Sequence, residues 1–535
     1  MKKIILILLA ISCTIGYSQS SKRIKVLSSD NTTVDERFPG AIITLGNVFV
    51  EHEGATLRCD KAYIYQERNL IKAMGNVIIN QGDTIHQYSK YVDYDGNTKI
   101  STSWGNVKLK DELMELETDT LRFNRSEQKL YFNHKGTIKD TANVLVSDRG
   151  RYHLKFNKFE AFDNVVVTNR DGSVLNSNHL DYYTSSGIAY LFEPSTITEK
   201  DSKIYTEEGV YNSKTHKAHF TKNSKIYYKD VEINGDSLYY DKNNGFASAT
   251  GNFKMIDTVN NSIVKGGYAE MYRLKDSVFV TDKAVAISEI EPKDSMYIHG
   301  QKLMVLGKEG NRILKAFNKV KFYKFDLQGK CDSLISFETK GLTKLIDAPV
   351  MWANGSQITG DTIHLISNTK TEQLDSLKIL GNAFMIQKDT LSEDGYSQLK
   401  GKNMYGKFID NAINTLDVVG NSEVIFYLRD EFKVLLGIEK MICSKNIFII
   451  FKGNGIDKIK YFEMPSGKLY PPSDWENLNI EDRKFKGFIW REGERPITKD
   501  HIFIHDEEDD ENESESEKQP SKAAEKEVIE TIGKN

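Results

Sequence analysis

The chain has 535 residues, far too many for a single compact core. It carries 72 basic and 76 acidic side chains, a net charge of −4, with no arginine-rich face or interleaved aromatic motif, which sets nucleic-acid binding aside. Nine prolines against 26 tyrosines and 26 phenylalanines suit uninterrupted strand ladders, because proline removes a backbone donor and aromatics favour strands.

The first element is a leader. Met1-Lys2-Lys3 gives a basic start, the run from Ile4 to Ile11 is apolar, and small and polar residues follow to Ser18-Gln19-Ser20. This pattern predicts a secretory signal peptide over residues 1–18, with Ser12-Cys13 as a rival acylation site. The apolar run is shorter than the roughly 20 residues that span a bilayer. The most apolar later run, Ile447 to Phe451, is strand-sized. Three cysteines remain, Cys59, Cys331 and Cys443, and their wide spacing fits neither a disulfide framework nor a zinc motif.

A phrase then repeats: Gly-Asn followed by apolar residues at alternate positions. It stands at Gly46-Asn47 before Val48 and Val50, at Gly75-Asn76 before Val77 and Ile79, and at Gly105-Asn106 before Val107 and Leu109. Weaker copies follow at Asp163-Asn164, Gly251-Asn252, Gly381-Asn382 and Gly420-Asn421. A period of about 30 residues signals a repeat architecture, which offers a long surface or groove instead of a single pocket. Alternation sets Val48, Val50 and His52 on one face and Phe49 and Glu51 on the other, and it continues through Leu57, Cys59, Ala62, Ile64, Ile71 and Ala73. Breaks at Glu53-Gly54, Glu67-Arg68-Asn69 and Gly75-Asn76 predict about three strands of four to six residues per unit.

A second phrase, polar then aliphatic then aromatic, recurs as Asp119-Thr120-Leu121-Arg122-Phe123, Asn178-His179-Leu180-Asp181-Tyr182 and Gly360-Asp361-Thr362-Ile363-His364. Its Asp or Asn is expected to bond nearby backbone as the chain turns. The repeats are divided into residues 22–184 and 185–427, followed by a turn-rich and aromatic C-terminal cap segment over 428–505. Residues 506–535 hold about 12 acidic and 4 basic side chains and read as a solvated, disordered tail of about −8, leaving about +4 on the rest.

Catalytic motifs are missing: the chain has no phosphate loop, nucleophile elbow or His-Glu-x-x-His run, and no catalytic residue is assigned. His216 and His219 would share a helix face but lie on opposite faces of a strand, so no metal is expected. Arg58, Lys61, Lys72, Lys108 and Arg122 read as a solvated face.

The Gly-Asn-Val phrase, the pattern Asp60-Lys61-Ala62-Tyr63-Ile64-Tyr65 and the export signal together resemble the OstA-like family. That family includes periplasmic lipopolysaccharide-transport bridge proteins related to LptA and the N-terminal domain of LptD. The resemblance is clearest over residues 42–181. The stretch Lys486-Gly487-Phe488-Ile489-Trp490 with Arg495-Pro496 resembles the larger OstA-like proteins of the Bacteroidetes type.

Membership implies an all-β fold: tandem β-jellyroll repeats, each a folded-over twisted sheet, forming an elongated stack. It also implies a non-enzymatic, cofactor-free carrier in the periplasm or at the outer membrane, which binds lipopolysaccharide through lipid A. Further partners would be other transport components, by edge-strand pairing, and copies of itself by stacking. The apolar lining of such a groove would be Val48, Val50, Leu57, Ile64, Val77, Ile79, Val107 and Leu109. The chain exceeds the small bridge protein in length and lacks a C-terminal series of membrane strands with aromatic girdles. Two other readings stay open: a structural or adhesive surface β-repeat protein, and a carbohydrate-active β-solenoid enzyme, which is weakened because carboxylates fall at the turns of every unit.

Overall fold

The computed structural model describes residues 23–504 apart from 292–293, 309, 372, 411 and 453–454. The leader over 1–18 and the tail over 506–535 lie outside the described residues. Nearly all regular structure is antiparallel strand, in two compact units, Met1–Ala247 and Ser248–Asn535.

The first unit opens with β1 (Lys25–Ser28) and β2 (Asn31–Thr33), which together form an exposed edge. Six longer strands follow: β3 (Ile42–His52), β4 (Ala55–Tyr65), β5 (Leu70–Gln81), β6 (Ile85–Asp95), β7 (Ile100–Lys110) and β8 (Glu115–Asn124). Each of the first three repeats is therefore a hairpin of two strands of 10 to 12 residues, not three strands of four to six. The difference lies in the Gly-Asn pair. It does not end a strand but sits in the middle of one.

Registers show how. Leu45 pairs with Lys61 and Val48 with Cys59, so Gly46 and Asn47 together stand opposite Asp60 alone. Gly75-Asn76 stands opposite Lys90 in the same way, and Gly105-Asn106 opposite Asp119. Both residues of each pair have positive φ, a conformation open to glycine and tolerated by asparagine. A β-bulge of this kind bends and twists its strand. Recurring at one level on alternate strands, the bulges fold the sheet along a line into two limbs. Residues 48–59 belong to one limb, and residues 61–74 to the other.

The aspartate of the second phrase has its place here. Asp60 accepts from the Asn76 side chain at 2.9 Å, and Asp361 accepts from Asn382 at 3.0 Å. Asp60 lies mid-strand and Asp361 in the short break between Ser356–Thr359 and Thr362–Ser367, each across from a neighbouring bulge. A side chain at Gly75 would run into the Asp60 carboxylate. From Lys129 onward most strands are interrupted at the bend into pieces of four to six residues, for example Asn143–Ser147 and Arg149–His153.

The second unit repeats the scheme, with long strands such as Leu374–Lys388 bulged at Gly381-Asn382. Strand structure continues to Tyr470. Residues 471–504 then cross the outer face of this sheet without joining it. Trp475 is buried among Phe384, Ile386, Ile425, Ile438 and Phe485, and donates from Nε1 to the Tyr427 hydroxyl at 3.0 Å. Further along, the Gln398 carboxamide donates to the Arg483 carbonyl and accepts from the Phe485 amide, at 3.0 and 2.9 Å. Gln357 grips the Ile489 carbonyl and the Arg491 amide identically, both at 2.7 Å. Each unit is thus a folded-over antiparallel sheet, and the chain is a tandem β-jellyroll.

Candidate functional site

The interior between the two limbs of the first unit holds the expected groove residues. All eight are buried, from Leu109 at 0% exposed to Ile79 at 9%. Val48, Val50, Leu57, Ile64, Val77 and Ile79 meet in one cluster with Ile24, Ile71, Val92 and Tyr94. Val107 and Leu109 continue the stripe on β7. Parity explains this: a two-for-one bulge leaves Ile71, Ala73, Val77 and Ile79 all facing inward across the bend. Phe49 faces the other way, half-buried beneath the Arg58 guanidinium at 4.4 Å.

The interior is not uniformly apolar. Gln87, Ser89, Ser101 and Ser103 are buried on β6 and β7, with Gln87 donating to Ser103 at 2.5 Å. It is also closely filled. A cavity of about 30 Å3 remains, lined by Val50, Leu57, Ile71, Ile79, Tyr94 and Phe123 among others. That is room for about two water molecules.

The tips of the limbs, where strands turn back, meet along a polar seam. Glu53 pairs with Lys99 at 2.6 Å. Arg125 spans the opening, donating to the Tyr94 hydroxyl at 2.9 Å, to the His52 and Glu53 carbonyls at 3.2 Å and to Gln81. Further along, Tyr152 reaches Asp111 at 3.4 Å, and Tyr182 donates to Asp140. Asn143 donates to Ser213 at 2.9 Å, and Lys242 bridges Asp171 and Glu199 at 2.6 and 3.1 Å. These partners are 31 to 73 residues apart in sequence. Most of the seam's ion-paired side chains are about a quarter to a third exposed, so each pair contributes only about 0–1 kcal/mol.

A ladder of inward aromatics supplies the seam. Tyr94, Phe123, Tyr152, Tyr182 and Tyr211 are buried and recur every 29 or 30 residues. Phe123 and Tyr182 are the aromatic ends of the second sequence phrase, so the signal was present. What the phrase alone hides is that the ring is the inward element.

Charge behaviour follows from these contacts. Burial and the neighbouring Asp140 carboxylate push the Tyr182 phenol far above its ordinary range, keeping it a donor. Burial would raise Asp171, but Lys242 and Ser173 outweigh it and hold the carboxyl well below the usual range. Burial raises the Cys59 thiol to about 11, leaving it unreactive.

Among the described residues, no group of three or more His, Cys, Asp or Glu side chains could hold a metal ion. His219 bonds Ser237 at 2.8 Å from within a strand, while His216 sits at the preceding turn near Asp171. Among the described residues no helix is long and apolar enough to cross a membrane.

Residues 21–174 and 160–236 match the sequence family described as OstA-like protein. No curated protein sequence matches the chain. Among solved structures, the chain is similar to LptH of Pseudomonas aeruginosa, the LptA-homologous periplasmic component of its lipopolysaccharide transport device. The two are 14% identical over 20% of this chain and 74% of that one, with a TM-score of 0.18. The family match covers residues 21–236, so it is this part of the chain, with its bulged hairpins, that is similar to the OstA-like family.

Proposed function

We propose that this protein is a periplasmic carrier. It shelters the acyl chains of lipopolysaccharide between the limbs of its folded sheet and so contributes to lipopolysaccharide transport and outer-membrane assembly. The observation that carries this reading is the inward apolar stripe of Val48, Val50, Leu57, Ile64, Val77, Ile79, Val107 and Leu109, renewed at every hairpin of an OstA-like chain. Burying a methylene contributes about 0.8 kcal/mol, so an acyl chain of about a dozen carbons gains roughly 10 kcal/mol. Near-identical hairpins offer near-equal sites, and movement from one to the next is then almost level in energy. No catalytic step is assigned.

Partner docking in this reading uses open strand edges. β1 and β2 expose one such edge in the first unit, and Ser466–Tyr470, with Leu469 58% exposed, offers another in the second. Other transport components or a second copy would add strands there.

The close filling of the interior favours a second reading, a structural or adhesive β-repeat protein whose interior is simply its core. Native mass spectrometry of the mature protein from its own envelope, followed by lipid extraction, separates the two. Co-purifying lipid A, reduced several-fold by Ile79→Phe in the cavity wall but not by Phe49→Ala outside, supports the carrier. Lipid-free protein with an intact fold supports the structural reading.

A further inference from the structure

The folded sheet has two unlike sides. Along the bend the limbs are joined by the strands themselves, with backbone ladders intact on either side of every bulge. Along the seam they are joined by side chains such as Glu53 with Lys99, Asn143 with Ser213 and Lys242 with Asp171. The space left at Val50, Leu57, Ile71, Ile79, Tyr94 and Phe123 is about 30 Å3, too little for an acyl chain, so a lipid requires the limbs to part there. The bulges, with two positive-φ residues each, provide the line about which they can do so.

We infer that the first unit loads from the side: the limbs hinge at the bulge line, the polar seam unzips locally, and an amphiphile enters with its polar end left at the seam. This rests on the carrier reading and adds the route, which excludes end-on threading through a closed interior. A guest with a polar head suits it, because the seam groups freed by opening face that head while the chain lies against the apolar stripe.

A reversible lock tests the route. The side chains of Asn143 and Ser213 meet across the seam at 2.9 Å, so Asn143→Cys with Ser213→Cys in the full chain, joined by oxidation and verified by loss of both introduced thiols, provides the lock. Loading of radiolabelled lipid A from detergent micelles is measured on oxidised and reduced protein, with each single variant as control. The expected result is loading at least tenfold slower when oxidised and recovered on reduction, which also shows that the variant is folded. Equal rates overturn side loading.

If wild-type protein takes up no lipid A, the carrier reading fails, and a lipid-free measurement decides the seam. Cys59 faces inward at 5% exposure, so its alkylation by N-ethylmaleimide, located by peptide mass mapping, reports opening. Glu53→Lys sets like charges against Lys99 and is expected to speed that alkylation at least fivefold. An unchanged rate overturns the hinge and seam.

Discussion

At the scale of single residues, the Gly-Asn pair and its aspartate carry the fold. Gly75 has φ +77° and no room for a Cβ beside Asp60. Gly75→Ala should cost about 1–3 kcal/mol in urea unfolding, and Asn76→Ala, which loses one exposed hydrogen bond, about 1 kcal/mol or less. The repeat itself was plain in the sequence. Its role was not, since Gly-Asn between apolar residues signals a turn as readily as a mid-strand bulge, and only the register separates them.

Asp171 gives a test by pH. Its folded-state value is depressed, so its contribution to stability is complete above the unfolded carboxylate value of about 3.9 and is lost as the pH falls below it. The stability difference between wild type and Lys242→Gln should therefore be largest at neutral pH and shrink on acidification below about pH 4, as followed by urea titrations. Salt will reduce it, because both side chains are about one-third exposed.

At the scale of elements, the segment over 471–504 is held through its backbone as well as by the buried Trp475 and Phe485 side chains. Gln357 and Gln398 each satisfy one carbonyl and one amide of it, and the Lys321 ammonium bonds the Ile504 carbonyl at 2.6 Å. Replacing either glutamine by alanine leaves buried backbone groups unpaired, at about 1–3 kcal/mol. Limited proteolysis within residues 477–500 should then be at least several-fold faster than in wild type. Its prolines and tryptophans set the C-terminal segment apart in the sequence, but the expected cap began at residue 428, whereas strands continue to Tyr470. Where it lies was not legible, because a glutamine between apolar residues of a strand looks like a solvated position.

At the scale of the molecule, the inward stripe was legible because alternation holds within each limb and along the bulged strands, slipping by one residue only on their partners, as from Cys59 to Ala62. The seam was not, because its partners lie far apart in sequence and each residue, taken alone, is an ordinary turn residue. The seam makes the first unit sensitive to ionic strength. Raising salt from about 0.01 M to about 1 M shortens the screening length from about 30 to about 3 Å. Cys59 alkylation should accelerate several-fold over that range while far-ultraviolet circular dichroism stays constant.

The two-for-one bulge has one more consequence. A hairpin made of one bulged strand and one unbulged partner brings its own bend with it, so it can be duplicated or deleted whole without turning any remaining side chain inside out. Each hairpin adds two strands, or about 10 Å, so a sheet built this way lengthens in fixed steps.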